Sequence, residues 1–164
     1  MVKKIIGLGV LLMMIFSLVG CGNKYNAVMY DNAKEWVSEE FLRENLTRGI
    51  LYEDVYLDDN SYPKNITHII KNQEDFDTIF TEFPSGVNFE SSMVCVYVFT
   101  CNYMGRAYKI SKIRVDDQVL KIDVASVRPK KIGAFGDASI PQQRCLVVKM
   151  AKHEITAAEF TERK

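Results

Sequence analysis

The amino-acid sequence predicts an α+β fold, in which two helices pack against a small antiparallel β-sheet or a partly closed barrel of about five or six strands. Two stretches, 33–48 and 73–83, carry apolar residues at the spacing of an amphipathic helix. The second half of the chain instead contains strand-like runs separated by turn-forming residues. We expect these elements to form a single domain over residues 31–164.

The first predicted helix covers residues 33–48. Asp31 and Asn32 precede it as candidate cap residues, and Gly49 is a natural stop. Its apolar side chains form one broad stripe that consists of Trp36, Val37, Phe41, Leu42 and Leu46. We interpret this segment as a packing helix whose tryptophan belongs to the core.

The second predicted helix covers residues 73–83 and has clearer boundaries. Asn72 is a candidate N-cap, and the acidic side chain of Asp75 follows three residues later. Pro84-Ser85-Gly86 ends the helix. We expect it to bury Phe76, Ile79 and Phe80 against the sheet.

Six segments are predicted as strands, namely 50–57, 66–70, 93–100, 107–115, 119–127 and 144–152. Segment 93–100 is apolar at both alternating sets of positions, so we expect a central strand that is covered on both faces. Segment 119–127 alternates apolar and polar residues, which is typical of a half-exposed strand. We interpret the residues beyond His153 as a polar tail in which a helix is possible.

The N-terminal 20 residues have the order of a signal peptide. Lys3 and Lys4 precede the run 5–19, which contains no charged side chain. The run is shorter than the roughly 20 residues that a membrane-crossing helix requires. We therefore exclude residues 1–20 from the fold.

The run ends in Leu18-Val19-Gly20-Cys21, which resembles a bacterial lipobox. This resemblance implies that the thiol of Cys21 carries a diacylglyceryl group, that residues 21–30 are a lipid anchor and short tether, and that the protein sits on the extracytoplasmic face of the cell membrane. Two acyl chains give stable attachment, whereas one gives marginal binding. The alternative is an ordinary secretory signal or membrane anchor with an incidental cysteine.

The charge balance does not favour nucleic acid as a partner. The chain has 21 basic and 21 acidic residues, and removal of the leader takes away Lys3 and Lys4 but no acidic residue. The remaining chain therefore has a formal charge near −2. Nucleic-acid binding depends on an excess of basic side chains, which is missing here.

Three cysteines remain if Cys21 carries lipid, so at most one disulfide forms within the chain. Cys95 and Cys101 lie six residues apart in and just after one predicted strand, too far for a direct bond at about 3.3 Å per residue. Cys145 is then the plausible partner of either one. We favour the interpretation that all three are small buried side chains, with such a disulfide as the alternative.

The sequence contains no recognisable catalytic, metal-ligating or cofactor-binding pattern. His68 has no second ligand at a suitable spacing, and we interpret it as structural or exposed. Asp58-Asp59-Asn60 lacks the glycine and the closing glutamate of a calcium loop. We therefore predict no cofactor, no metal site and no catalysis.

Several short motifs fall in a recognisable order. They are Asn72-Gln73-Glu74-Asp75-Phe76, Val87-Asn88-Phe89, Gly105-x-x-Tyr108-x-Ile110, Leu120-x-Ile122-x-Val124 and Leu146-Val147-Val148-Lys149. Residues from about 66 to 152 thereby resemble the PrcB C-terminal domain family, which is named after a subunit of a surface protease complex. The resemblance implies a β-rich domain that binds or stabilises protein partners without catalytic residues. Family members commonly have Thr-Gly-Gly-Tyr where this chain has Met104-Gly105-Arg106-Ala107-Tyr108.

The resulting functional prediction is a lipid-anchored module that binds or stabilises a protein, with a surface protease as candidate partner. The alternatives are a structural envelope lipoprotein and a Cys/His-dependent enzyme. Candidate partner-binding residues are Tyr103, Arg106 and Phe135, in the loops 102–106 and 130–135, provided that both loops lie at one end of the sheet. Otherwise these are ordinary connections whose aromatic side chains point inward.

Overall fold

The computed structural model describes residues 24–31, 33–58, 60–102, 106–127 and 140–163. Cys21, Tyr103 and Phe135 lie outside these residues. The described chain is mainly β, with two short α-helices, rather than a clear α+β barrel. Its elements are β1 (Val28–Tyr30), a 3₁₀ helix (Ala33–Trp36), α1 (Glu39–Glu44), β2 (Leu51–Tyr52), β3 (Val55–Tyr56), β4 (Asn65–Ile70), α2 (Gln73–Ile79), β5 (Ser92–Cys101), β6 (Ala107–Asp116), β7 (Val119–Val127), β8 (Gln142–Ala151) and β9 (Ala157–Arg163).

Strand β5 lies inside a four-stranded antiparallel sheet with the order β1-β8-β5-β4. Val94, Val96 and Val98 point to one face and are completely buried. Met93 and Cys95 point to the other face and are also completely buried. The prediction of a central strand covered on both faces is therefore confirmed.

One face of this sheet is covered by the helical layer. We define this layer as segments 33–46 and 73–90, which contain the 3₁₀ helix, α1 and α2. Val37, Phe41 and Ile79 of this layer pack in one cluster with the valines of β5. Strand β6 pairs antiparallel with β7 in a second, three-stranded sheet that covers the opposite face. The described strands form open sheets, and β5 lies between the helical layer and the three-stranded sheet.

The third strand of the second sheet is β9, which pairs parallel to β7. Part of the tail beyond His153 is therefore a strand, and the idea of a helix there was wrong. Ala158 and Phe160 alternate with polar residues and are buried, and the Phe160 ring stacks on Tyr97 at 4.6 Å. Only two buried positions mark this strand, which is too few for its period to stand out in the sequence.

The predicted helix 33–48 is interrupted. Val37 leaves the helical path and forms an isolated antiparallel bridge with Phe80. The Ser38 side chain then accepts a hydrogen bond from the Phe41 N–H and caps α1, which ends at Glu44. The same bridge ends α2 at Ile79, four residues before its predicted end. No helix in the described ranges is long and apolar enough to cross a membrane.

Other boundaries agree with the predictions to varying degrees. Asn72 caps α2 as predicted, because its side-chain oxygen accepts a hydrogen bond from the Asp75 N–H at 2.8 Å. The predicted strand 50–57 is a hairpin of β2 and β3, which turns at Glu53 and Asp54. Part of the predicted tether is folded, since β1 pairs with β8 and Tyr25 is buried.

The β6–β7 turn generates a stability prediction. Asp117 and Gln118 connect these strands with φ values of 49° and 63°, a left-handed conformation that strains side chains other than glycine. Gln118→Gly should therefore raise the free energy of unfolding by about 1 kcal/mol, measured by urea denaturation. Gln118→Ala is the matched control and should have little effect, because alanine keeps the strain. Equal stability of both variants would contradict the prediction.

Candidate functional site

Both connections that carry the predicted contact residues start and finish at one end of the two sheets. Cys101, where β5 ends, pairs with Gln142, where β8 begins. In the second sheet, Ala107 at the start of β6 pairs with Val127 at the end of β7. We call the region around these four residues the loop end. The predicted contact surface itself stays a prediction, because Tyr103 and Phe135 lie outside the described residues.

Arg144 of β8 connects several segments at the loop end. Its Nε donates a hydrogen bond to the Asp31 carbonyl oxygen at 3.1 Å, and its Nη2 donates to the Arg106 carbonyl oxygen at 3.1 Å. Its guanidinium also lies 3.8 Å from the Asp31 carboxylate and 5.6 Å from the centre of the Tyr108 ring. The candidate residue Arg106 is thus held through its main chain, close to the start of β6.

Tyr108 completes this cluster from the second sheet. Its main-chain N–H donates to the Asp31 carboxylate at 3.1 Å, and its hydroxyl lies 3.3 Å from the Cys101 sulfur. Tyr108 and Cys101 are both buried. Burial, reinforced by the hydrogen bond with Cys101, raises the pKa of Tyr108 well above its usual value. The phenol therefore stays neutral at physiological pH and acts as a structural link rather than as a general base.

Exposed apolar side chains concentrate near the loop end. The β2–β3 hairpin is attached there, since the Thr47 hydroxyl lies 2.8 Å from the Thr100 hydroxyl. The described part of the chain has five large hydrophobic residues that are exposed. Two of them belong to this hairpin, and two flank the connection between β7 and β8. These four are Val55, Tyr56, Val127 and Ile140. Such a concentration of exposed apolar surface is typical of contact regions.

His68 has a structural role. Its Nε2 lies 2.7 Å from the Asn45 side-chain oxygen, and the Asn45 amide group donates to the Phe41 carbonyl oxygen, so Nε2 must be the donor to Asn45. Gln143 donates to the main-chain oxygens of Leu42 and Asn45 at 3.0 and 2.8 Å. This network joins α1 to β4 and β8. Burial lowers the pKa of His68 below its usual value.

The three described cysteines are buried and form no disulfide. Cys145 pairs with Val98 and lies in the cluster under the helical layer, whereas Cys95 and Cys101 lie in the cluster on the opposite face of the sheet. The sheet therefore separates Cys145 from both candidate partners. Burial raises the pKa of Cys95 and of Cys145 to about 12, which makes these thiols poor nucleophiles. Within the described ranges, no group of His, Cys, Asp and Glu side chains is arranged to hold a metal ion.

No protein-family model, curated protein or solved structure matches this chain. The resemblance to the PrcB C-terminal domain family therefore stays a prediction from the sequence motifs.

Arg144→Met should lower the free energy of unfolding by about 1–3 kcal/mol, because it removes the donor from two partly buried carbonyl oxygens. Urea denaturation measures the change. Arg43→Met is the control, since Arg43 forms only an exposed pair with Glu39 at 4.0 Å and should lose at most about 0.5 kcal/mol. Equal losses in both variants would show that Arg144 does not organise the loop end.

The lowered pKa of His68 predicts a pH dependence of stability. At pH values between the folded-state pKa of His68 and its usual pKa near 6.5, the unfolded chain binds more protons at this site than the folded chain does. The free energy of unfolding should therefore fall as the pH decreases through about 6.5. His68→Gln keeps a donor for Asn45 but does not titrate, so its stability should vary less over this range in urea denaturation. If the free energy of unfolding changed equally with pH in both proteins, His68 would not be the group responsible.

Proposed function

We propose that the protein is a lipid-anchored extracytoplasmic module that binds or stabilises a protein partner at its loop end, without catalysis of its own. A surface protease is the candidate partner. The observation that carries this proposal is the position of Tyr25, which lies at the end of the sheets opposite to the loop end.

Tyr25 marks that opposite end. Its carbonyl oxygen accepts a hydrogen bond from the Ala151 N–H at 2.8 Å, and its hydroxyl accepts one from the Val115 N–H at 3.1 Å. Ala151 pairs with Ser92, the first residue of β5, whereas Cys101 ends β5 at the loop end. Ten residues of strand place these two ends roughly 30 Å apart.

The distance from Cys21 to the fold is short. Four residue steps separate Cys21 from Tyr25, and an extended chain covers at most about 14 Å over that length. A diacylglyceryl group on Cys21 would therefore keep the Tyr25 end next to the bilayer. The loop end would then lie farther from the membrane, where a partner has access to it.

The composition of the loop end supports a protein as partner. Asn102-Tyr103-Met104-Gly105-Arg106 combines an aromatic, a methionine and an arginine, residue types enriched at interface centres. The exposed Val127 and Ile140 lie on either side of the segment that contains Phe135. We propose that Tyr103, Arg106 and Phe135 contact the partner. A structural envelope lipoprotein, the alternative, would have no specific partner there.

Site-specific photo-crosslinking in cells tests both the surface and its orientation. A photoreactive residue at position 103, 106 or 135 should give a discrete crosslinked product. The same residue at Asp117 or Glu154, which are exposed near the Tyr25 end, should not. Cys21→Ser should abolish incorporation of a labelled lipid precursor and reduce crosslinking, because the protein no longer stays at the membrane.

Two results would contradict the proposal. Lipid labelling that persists in Cys21→Ser would exclude the anchor. Equal products from both ends of the domain, or none from the loop end in cells that contain the protein, would exclude the loop end as the specific contact surface.

A further inference from the structure

The helical layer contains three neighbouring clefts that do not involve the loop end. One cleft, of about 530 Å³, lies between α1 and Thr81. Thr81 also lines a second cleft, of about 370 Å³, beside α2. The second cleft shares Gln73 and Val87 with a third, of about 710 Å³, which extends to Glu90. We call these three neighbouring clefts the helical trough.

Aromatic side chains provide an apolar surface along the helical trough. Phe76 and Phe83 line the second cleft, and their ring centres are 5.4 Å apart. Phe89 lines the third cleft, with its ring centre 5.6 Å from that of Phe76. Trp36 lies 6.0 Å from Phe83. These four side chains are only partly buried, so the cluster retains surface that a ligand can cover.

The helical layer is also strongly acidic. Segments 33–46 and 73–90 together contain nine acidic and two basic residues, a formal charge of −7 in a chain whose total is zero. Five carboxylates and three lysines line the helical trough, namely Glu35, Glu39, Asp77, Glu82 and Glu90, and Lys34, Lys71 and Lys152. None of Asp77, Glu82 and Glu90 has a basic partner within ion-pair distance in the described ranges. The carboxylate of Asp77 does accept a hydrogen bond from the Gln73 amide at 2.7 Å.

We propose that the helical trough binds a lysine- and arginine-rich segment of a partner protein that also carries apolar side chains. The apolar groups of such a segment would cover the aromatic surface, and its cations would neutralise the unpaired carboxylates. Cations also interact favourably with aromatic rings, and those of Phe83 and Phe89 line the helical trough. This proposal depends neither on the lipid anchor nor on the loop end.

Trp36 provides the signal for a binding experiment, because it is the only tryptophan in the chain. The full chain in zwitterionic lipid nanodiscs is titrated with a short peptide of lysine, leucine and glycine, and empty nanodiscs serve as the blank. The Trp36 emission should change in a saturable manner, and the affinity should decrease when the ionic strength rises above about 0.1 M. A peptide with glutamate in place of lysine should not produce this change.

A pair of double variants shows where the peptide binds. Asp77→Asn with Glu82→Gln removes two carboxylates from the helical trough and should weaken lysine-peptide binding roughly threefold to tenfold. Glu154→Gln with Glu159→Gln makes the same charge change at exposed positions outside the trough and should alter the affinity less than about twofold. Circular dichroism checks that both variants are folded.

Three results would overturn the proposal. The first is the absence of saturable binding by the lysine peptide, and the second is equal weakening by the two double variants. The third is co-capture of differently tagged copies of the protein that is lost in the Asp77→Asn, Glu82→Gln variant. That result would identify a second copy of this chain, rather than a foreign basic segment, as the occupant of the helical trough.

Discussion

The central constraint on this fold is that β5 is apolar on both faces. Val94, Val96 and Val98 require cover on one side, and Met93 and Cys95 require it on the other. A single sheet with one solvated face cannot meet this requirement. The helical layer and the three-stranded sheet supply the two covers, and every feature at the loop end and in the helical trough is held in place by one of them.

The two sheets are joined at their margins by side chains. On one side, the N–H groups of Tyr108 and Val115 in the edge strand β6 donate to the Asp31 carboxylate and the Tyr25 hydroxyl. On the other side, the Thr67 hydroxyl donates to the Ala158 carbonyl oxygen at 3.1 Å. Because these bonds occupy edge groups that would otherwise attract a further strand, they also protect the edges from unwanted pairing. Tyr25 and Asp31 are thus part of the fold.

Local patterns in the sequence were sufficient to predict the long strands of the core and the Asn72 cap, because each of these features depends on neighbouring residues. Local patterns were not sufficient to predict elements whose structure depends on pairing with a distant segment. The break at Val37 depends on a bridge to Phe80, and β9 exists because β7 offers a parallel edge. The meeting of the strand ends at the loop end could not be predicted from local patterns, since it follows from pairings between remote strands. The helical trough was not foreseen at all, because its acidic and aromatic residues come from two segments that only the fold brings together.

The distribution of charge shows why total charge is a poor guide to partners. A formal charge near zero gives little reason to expect electrostatic recognition, yet the helical layer concentrates acidic residues on one side of the molecule. Charges in 0.1 M salt act over a Debye length of about 10 Å, so an approaching segment responds to the face that it meets and not to the sum over the chain. A neutral domain can therefore concentrate carboxylates in one layer, as this one does with Asp77 and Glu82 beside the partly buried rings of Phe76 and Phe83.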